Sequence, residues 1–202
     1  MAISPPSFTK FKRSRIEPVN KTSRSESDWT GSVQISELEK KMWRFTLDTP
    51  ALSYVEAGPW TAWLTRLKGG AETTLLTYPD RPFPEGDATG TGSLGGVSAD
   101  GSTVTVSGFS STGGPIFKAG DFISITPSGG WPELKIVEQD VPAGTSSVEI
   151  WPPLHTIPSG GGGSVNVDTP LGEFFLATDE ISFNTDMNKV HQLSIPFRER
   201  VS

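Results

Sequence analysis

Glycine and proline interrupt this sequence at short intervals, which limits the length of any regular element. There are 22 Gly and 17 Pro among 202 residues. Glycine adopts positive φ without strain and proline fixes φ, so both residue types concentrate in turns. The chain also has six Trp and eleven Phe, whereas disordered chains are poor in aromatic residues. The pattern therefore predicts a folded, mainly β protein with many turns and one helix.

The clearest strand is predicted over residues 41–48. Large apolar residues, including Trp43 and Phe45, occupy every second position there, which is typical of a strand with one buried face. An earlier strand over residues 29–36 is expected to pair with it through the short charged segment 37–40.

A helix is predicted over about residues 51–68. The Thr-Pro pair at 49–50 can provide the N-cap and the first helical position, and the two glycines at 69–70 can end the helix. Pro59 conflicts with a regular helix because it removes a backbone hydrogen bond, so we expect a kink or a start near Gly58. The apolar residues near helical spacing are Leu52, Val55, Trp60, Trp63, Leu64 and Leu67.

The composition changes after residue 78. Residues 79–96 are rich in proline and then glycine, which is typical of a linker. Short alternating segments follow and suggest a small barrel or sandwich, and the tract SGGGGS at 159–164 is typical of a flexible linker. Strands after the helix are predicted over residues 73–78, 103–109, 121–126, 133–139, 147–151 and 165–167. In the last five, the expected inward pairs are Val104/Val106, Ile123/Ile125, Leu134/Ile136, Val148/Ile150 and Val165/Val167.

The C-terminal segment returns to clear alternation. Leu193, Ile195 and Phe197 share one face of the last strand, and Pro196 on the other face is typical of an edge or terminal strand. The predicted strands cover residues 172–176, 181–183 and 190–197, with a polar turn at 184–188.

The predicted organisation has three parts. Residues 1–27 form a basic N-terminal arm, residues 28–87 and 168–202 form a β domain with the helix, and residues 88–167 form an inserted all-β domain. Residues 1–25 carry six basic and one acidic side chain, a net charge of +5, and the rest of the chain has a net charge of −11. Such an arm can bind nucleic acid or an acidic partner, or it can be solvated and partly disordered.

Motifs with catalytic or ligand-binding chemistry are weak. Residues 90–95 match GxGxxG, but the strand and helix that a dinucleotide site needs are not predicted around them. Asn184, Asp186 and Asn188 copy three positions of a calcium loop, yet Lys189 stands where the loop needs glycine. We interpret that segment as a hairpin turn.

Other chemistry is also unsupported. The chain has no Cys, which excludes disulfides, thiol catalysis and cysteine-based metal sites. His155 and His191 are the two histidines and lack zinc-site spacing. We therefore predict no catalytic, cofactor-binding or metal-binding residue, and a protein that is not an enzyme. The sequence has no signal-peptide pattern or membrane-spanning apolar run, which predicts a soluble protein made in a cytoplasm.

The order of these features resembles a known family. The features are a hairpin with Trp43, a helix with Trp60-x-x-Trp63-Leu64-x-x-Leu67, then Gly69, a strand ending near Tyr78-Pro79 and a Gly-rich loop. They continue with KAGDFI at 118–123, IWPPL at 150–154 and Gly172-x-Phe174-x-Leu176. Over residues 28–202 this resembles tail proteins of bacteriophages with long, non-contractile tails, especially the distal tail protein.

The resemblance implies a structural virion protein. Such a protein has a tail-tube-like β-sandwich or barrel with one flanking α-helix, and six copies close into a ring in the virion tail. The ring joins the tail tube protein to tail-tip hub or baseplate proteins and leaves a channel through which DNA passes. The inserted β domain would lie outside the ring, for receptor or carbohydrate contact or as an attachment platform. The family brings no catalytic residues.

Two alternatives remain open. The chain could be a carbohydrate-binding module in which Trp131 or Trp151 stacks on a host-surface glycan. It could also be another tail ring component, either a tube subunit or the tail terminator. A tube subunit would polymerise into long filaments, whereas a distal ring would stop at one closed oligomer.

Overall fold

The fold is mainly β, as predicted. The computed structural model describes residues 2–6, 11–159, 161–180, 184–185 and 191–201, without the side chains of 37–40 and 184–185. The helix is α1 (Tyr54–Arg66), followed by a 3-10 turn (Lys68–Gly70). The strands in chain order are β1 (Arg13–Glu26), β2 (Val33–Asp48), β3 (Thr73–Leu76), β4 (Thr91–Val97), β5 (Thr103–Ser107), β6 (Phe122–Pro127), β7 (Glu133–Val137), β8 (Ser147–Trp151), β9 (Gly163–Asn166), β10 (Gly172–Leu176), β11 (Asn184–Thr185), β12 (His191–Gln192) and β13 (Ser194–Glu199).

Three β structures contain these strands. Five strands form an antiparallel sheet in the order β1-β2-β13-β10-β3, and six form a closed barrel in the order β4-β5-β8-β7-β6-β9. The short strands β11 and β12 pair with each other. The barrel strands therefore lie in sequence between β3 and β10 of the sheet.

The first hairpin differs from its prediction. The turn does not lie at residues 37–40, because β2 continues through them and pairs with β1. The chain turns instead at residues 27–32, where the Gly31 N–H donates to the Ser27 carbonyl and Gly31 has a φ of 65°. Residues 37–40 contain no turn-forming residue, whereas Gly31 supplies the positive φ of a tight turn. Most of the predicted basic arm is thus strand β1.

The helix starts later than predicted. Its N-cap is Ser53, which forms a capping box with Glu56. Thr49 is buried and bonds in both directions with the backbone of Leu193 instead, so it does not cap the helix. The chain stays extended up to Leu52, which bridges to His191.

The helix continues through Pro59 and does not begin near Gly58. The hydrogen bond that Pro59 cannot donate would reach the carbonyl of Val55. Val55 was predicted on the buried face but is 80% exposed. The residues that the helix buries are Ala57, Trp60, Trp63 and Leu64.

The last strand is central rather than an edge strand. β13 lies between β2 and β10, and its predicted buried residues Leu193, Ile195 and Phe197 are 0–2% exposed. Pro196 accepts a bond from the Ala177 N–H, just beyond the end of β10. In an antiparallel ladder the nitrogen and the carbonyl of one residue face the same neighbouring strand. The Pro196 nitrogen therefore faces the end of β10, where a missing N–H removes little of the strand pairing. The predicted strand 181–183 lies outside the described residues.

Two predicted linkers each contribute residues to a barrel strand. Residues 91–96 belong to β4, and the N–H groups of Asp87 and Ala88 bond to carbonyls of residues 115–116. In the tract 159–164, Gly163 begins β9, and a Cβ there would lie 2.3 Å from the Thr126 carbonyl oxygen. Glycine therefore allows close backbone approach here rather than flexibility.

The barrel and the sheet share buried residues. The barrel core contains four of the five predicted inward pairs. The exception is Leu134/Ile136, which packs with Trp43 in the sheet core, together with Phe122 from β6. Strand β7 is buried on both faces. The alternation of apolar residues therefore could not show which face points into the barrel.

Candidate assembly surface

A two-stranded ribbon projects from the sheet. The strand β13 pairs with β2 only from Arg44 to Asp48. Among the described residues, the rest of β2 pairs with β1 alone. We call residues 19–42 the projecting ribbon. At about 3.3 Å per residue, its ten residues from Val33 to Met42 extend about 30 Å from the sheet.

The projecting ribbon exposes large apolar side chains. Trp29 in its turn is 98% exposed, and Ile35 and Val33 are 66% and 41% exposed. Val33 and Ile35 lie on one face of β2 because they are two positions apart. An isolated two-stranded hairpin is at best marginally stable in water, so contact with another molecule would stabilise it. The ribbon is therefore suited to contact another protein surface.

An apolar pocket lies at the other end of β2. It has a volume of about 340 Å³ and lies between the N-terminal segment, the helix and β3. The rings of Phe11 and Trp60 meet edge to face there, 6.0 Å apart between centroids. Other residues that line it include Pro5, Pro6, Leu47, Leu75 and Leu171. Leu47 and Trp60 are each only 2% exposed, so these two side chains are already buried within the protein.

A cluster of buried charges joins the barrel to the sheet. The Lys135 ammonium lies 2.8 Å from a carboxylate oxygen of Glu133 and 3.5 Å from one of Glu199, and all three side chains are at most 1% exposed. Lys135 also donates to the Pro153 carbonyl at 3.1 Å. Glu199 accepts from the Trp43 backbone N–H at 3.0 Å. The cluster therefore fixes β7 of the barrel against β2 and β13 of the sheet.

Glu133, His155 and Glu199 are close enough to hold a metal ion. The ammonium of Lys135, however, lies near both carboxylates and supplies the positive charge that a metal would bring. Glu133 also accepts the backbone N–H groups of His155 and Thr156. We therefore interpret the cluster as structural.

The two tryptophans considered for sugar stacking each pack against another side chain. Trp151 packs on Trp43 in a T-shaped contact with centroids 4.4 Å apart. The guanidinium of Arg200 lies 4.2 Å from the ring centroid of Trp131, which covers one face of that ring. Each tryptophan thus has less ring surface for stacking on a sugar than the sequence suggested.

The calcium-like and GxGxxG segments differ in how far the structure describes them. Asn184 belongs to β11, while Asp186, Asn188 and Lys189 lie outside the described residues. Residues 90–95 run into β4 of the barrel, and the next described element is strand β5 rather than a helix. His191 lies on β12 and bridges to Leu52.

Comparison with known proteins identified no related family or curated protein. No protein-family model matches the chain, and no curated protein matches it. Among the described residues, no helix has the length and apolar character that crossing a membrane requires.

Proposed function

We propose that this chain is a structural, ring-forming component of a bacteriophage tail. Its copies assemble side by side at the distal end of the tail tube, contact the tube and tip proteins, and leave a channel for DNA. The observation that carries this proposal is the projecting ribbon, which exposes Trp29, Val33 and Ile35 on a hairpin with little support of its own. The resemblance in the order of sequence features gives the class of assembly.

Association between copies would remove the cost of this exposure. Burying a Val, Ile or similarly large side chain stabilises by about 1.5–3 kcal/mol. Every subunit of a ring has a neighbour on each side, so each copy of the ribbon can be buried in this way. The same arrangement protects β1, an edge strand of 14 residues, because open sheet edges favour aggregation unless they are covered.

The charge of the chain supports passage of DNA. The formal net charge is −6, and an acidic wall repels phosphates instead of retaining them. Carboxylates that face the channel should therefore allow fast ejection, and their replacement by Lys should slow it. Unchanged ejection kinetics in such variants would remove this part of the proposal.

The mass of the purified protein in solution tests the proposal directly. We expect one closed oligomer of six subunits, with negative-stain images that show rings. Long tubes would assign the chain to a tube subunit instead. A monomer at all concentrations, with and without tail-tube protein, would contradict ring formation.

A further inference from the structure

Four arginines lie on the face of the five-stranded sheet that is opposite to its core. Side chains alternate between the two faces of a strand, and the residues that flank Arg44 and Arg198 are at most 4% exposed. These two arginines therefore point outward. Arg13 and Arg15 of β1 are directly opposite residues on the same face of β2. We call these four residues the arginine face, and each of them is exposed.

Arg44 and Arg198 are directly opposite each other on β2 and β13. Like charges in such a cross-strand pair destabilise a sheet. Glu17 lies on the other side of Arg44, but its carboxylate is bound by Arg15 at 2.7 Å. Within the described residues, neither Arg44 nor Arg198 forms an ion pair. Breaks of local rules are expected at functional sites, so this pair indicates an anionic partner.

The barrel exposes complementary charge where β7 ends. Glu138, Asp140 and Glu149 are all exposed, and we call them the acidic patch. The Glu138 N–H donates to the Glu149 carbonyl at 3.0 Å, so these two residues are neighbours. None of the three carboxylates forms an ion pair in the part of the chain that the structure describes. Carboxylates match the planar guanidinium group of arginine in charge and in hydrogen-bond geometry.

The arginine face and the acidic patch cannot meet within one chain. Glu199, next to Arg198, points to the core side of the sheet, and its carboxylate lies 3.5 Å from the Lys135 ammonium of β7. The barrel is therefore on the core side of β13, whereas Arg198 points to the opposite side. Carboxylates of the acidic patch that reach the arginine face must come from another copy.

We propose that the arginine face of one copy binds the acidic patch of the next copy. This inference rests on the proposed function, since a ring supplies the neighbouring copy. The two surfaces differ, so the contact is heterologous, and repetition closes a ring when the rotation between copies permits it. Complementary charge also fixes the register of such a contact. DNA is disfavoured as the occupant, because a chain with a net charge of −6 repels phosphates.

Arg198→Glu separates the contact from the stability of the subunit. The new carboxylate would lie opposite Arg44, and opposite charges in a cross-strand pair stabilise a sheet. The variant should therefore melt no lower than wild type, while the concentration needed for assembly in light scattering rises at least about tenfold. Arg66→Glu is the matched control, because it makes the same change of charge at an exposed residue in the last turn of α1.

Two charge-reversed chains identify the partner. One carries Arg44→Glu with Arg198→Glu, and the other carries Glu138→Arg with Glu149→Arg. Within either chain alone the two surfaces repel, whereas in an alternating ring every contact again joins opposite charges. We expect the equal mixture to assemble and each chain alone to remain dissociated.

Two results would overturn the inference and leave ring formation intact. They are assembly of Arg198→Glu at the wild-type concentration and failure of the mixture, with both variants folded by circular dichroism. Weaker binding of a DNA duplex by Arg198→Glu, with unchanged assembly, would assign the arginine face to nucleic acid instead. A wild-type chain that never assembles would overturn the proposed function itself.

Discussion

Lys135 holds two buried carboxylates together. Its ammonium lies within 3.5 Å of both Glu133 and Glu199, and a buried charge that loses its partner is costly. We expect Lys135→Met to lower the free energy of unfolding by about 3–5 kcal/mol, measured by urea denaturation. The control is Lys68→Met, because Lys68 pairs with Glu72 at an exposed site and such pairs contribute at most about 1 kcal/mol. Equal effects of the two variants would contradict the structural role of the cluster.

Two glycines should respond oppositely to replacement by alanine. A Cβ at Gly163 would lie 2.3 Å from the Thr126 carbonyl oxygen, and Gly163 has a φ of 138°. At Gly58, inside the helix, a Cβ would meet no atom within 4 Å. We expect Gly58→Ala to stabilise by about 0.5–1 kcal/mol and Gly163→Ala to destabilise by more than that. A neutral Gly163→Ala variant would restore the flexible-linker interpretation of residues 159–164.

Asp87 makes barrel stability depend on pH. Hydrogen bonds, first from the Gly114 backbone N–H and then from Thr112 and Ser111, lower the pKa of Asp87 from 3.8 to about 2. A carboxylate with a lowered folded-state pKa stabilises the fold above its unfolded pKa, and the contribution is lost as pH falls through the folded value.

The melting temperatures of wild type and Asp87→Asn should therefore differ at pH 6. That difference should shrink between about pH 4 and pH 2 as Asp87 gains its proton. Asp28→Asn, in the turn at residues 27–32, is the comparison variant. A difference that stays constant down to pH 2 would mean that the ionised form of Asp87 does not matter.

The projecting ribbon is the element that can be removed most cleanly. Lys21 and Leu38 are directly paired in the β1–β2 register, so replacing residues 22–37 with Asn-Gly leaves a two-residue hairpin turn. The core residues of the sheet lie outside this segment. We expect the shortened chain to melt within a few degrees of wild type but to remain monomeric in light scattering. Assembly of this variant would assign the interface to another surface.

Strands with one buried face were predicted correctly from the sequence. The positions of the first turn and of the helix start were predicted wrongly, because turn geometry and tertiary pairing determined them. The alternation around Trp43 and the short barrel strands identified the mainly β fold and most barrel strands within a few residues. The hairpin turn was misplaced because charge at residues 37–40 outweighed the glycine at Gly31. The helix start was misplaced because Thr49 and Ser53 are both good caps, and tertiary pairing of Leu52 with His191 selected Ser53.

The candidate surfaces were hidden from sequence reasoning for a different reason. Trp29 was assigned to a strand, and nothing in its neighbours indicated that it would be exposed. The apolar pocket combines Phe11, Trp60 and Leu171, which are distant in sequence. Glu133 and Lys135 alternate with Leu134 and Ile136, so the pattern indicated one polar, exposed face, whereas both faces are buried.

At the scale of the whole molecule, the barrel and the sheet should unfold together. Trp43 of the sheet donates its indole N–H to the Leu134 carbonyl of the barrel and packs on Phe122. We expect tryptophan fluorescence and far-UV circular dichroism to report one coincident transition in urea, as two-state unfolding requires. Two separated transitions would show that the contacts between barrel and sheet contribute little to stability.

The shared burial also limits how such a protein can diversify. Phe122 of β6 and Leu134 of β7 point out of the barrel into the core of the sheet. A different barrel acquired by recombination would need apolar residues at the same two places. It would also need a carbonyl group opposite the Trp43 indole and a cation to match Glu199. A replacement barrel is therefore constrained to keep these contacts between barrel and sheet. Loops away from the contacts are free to vary.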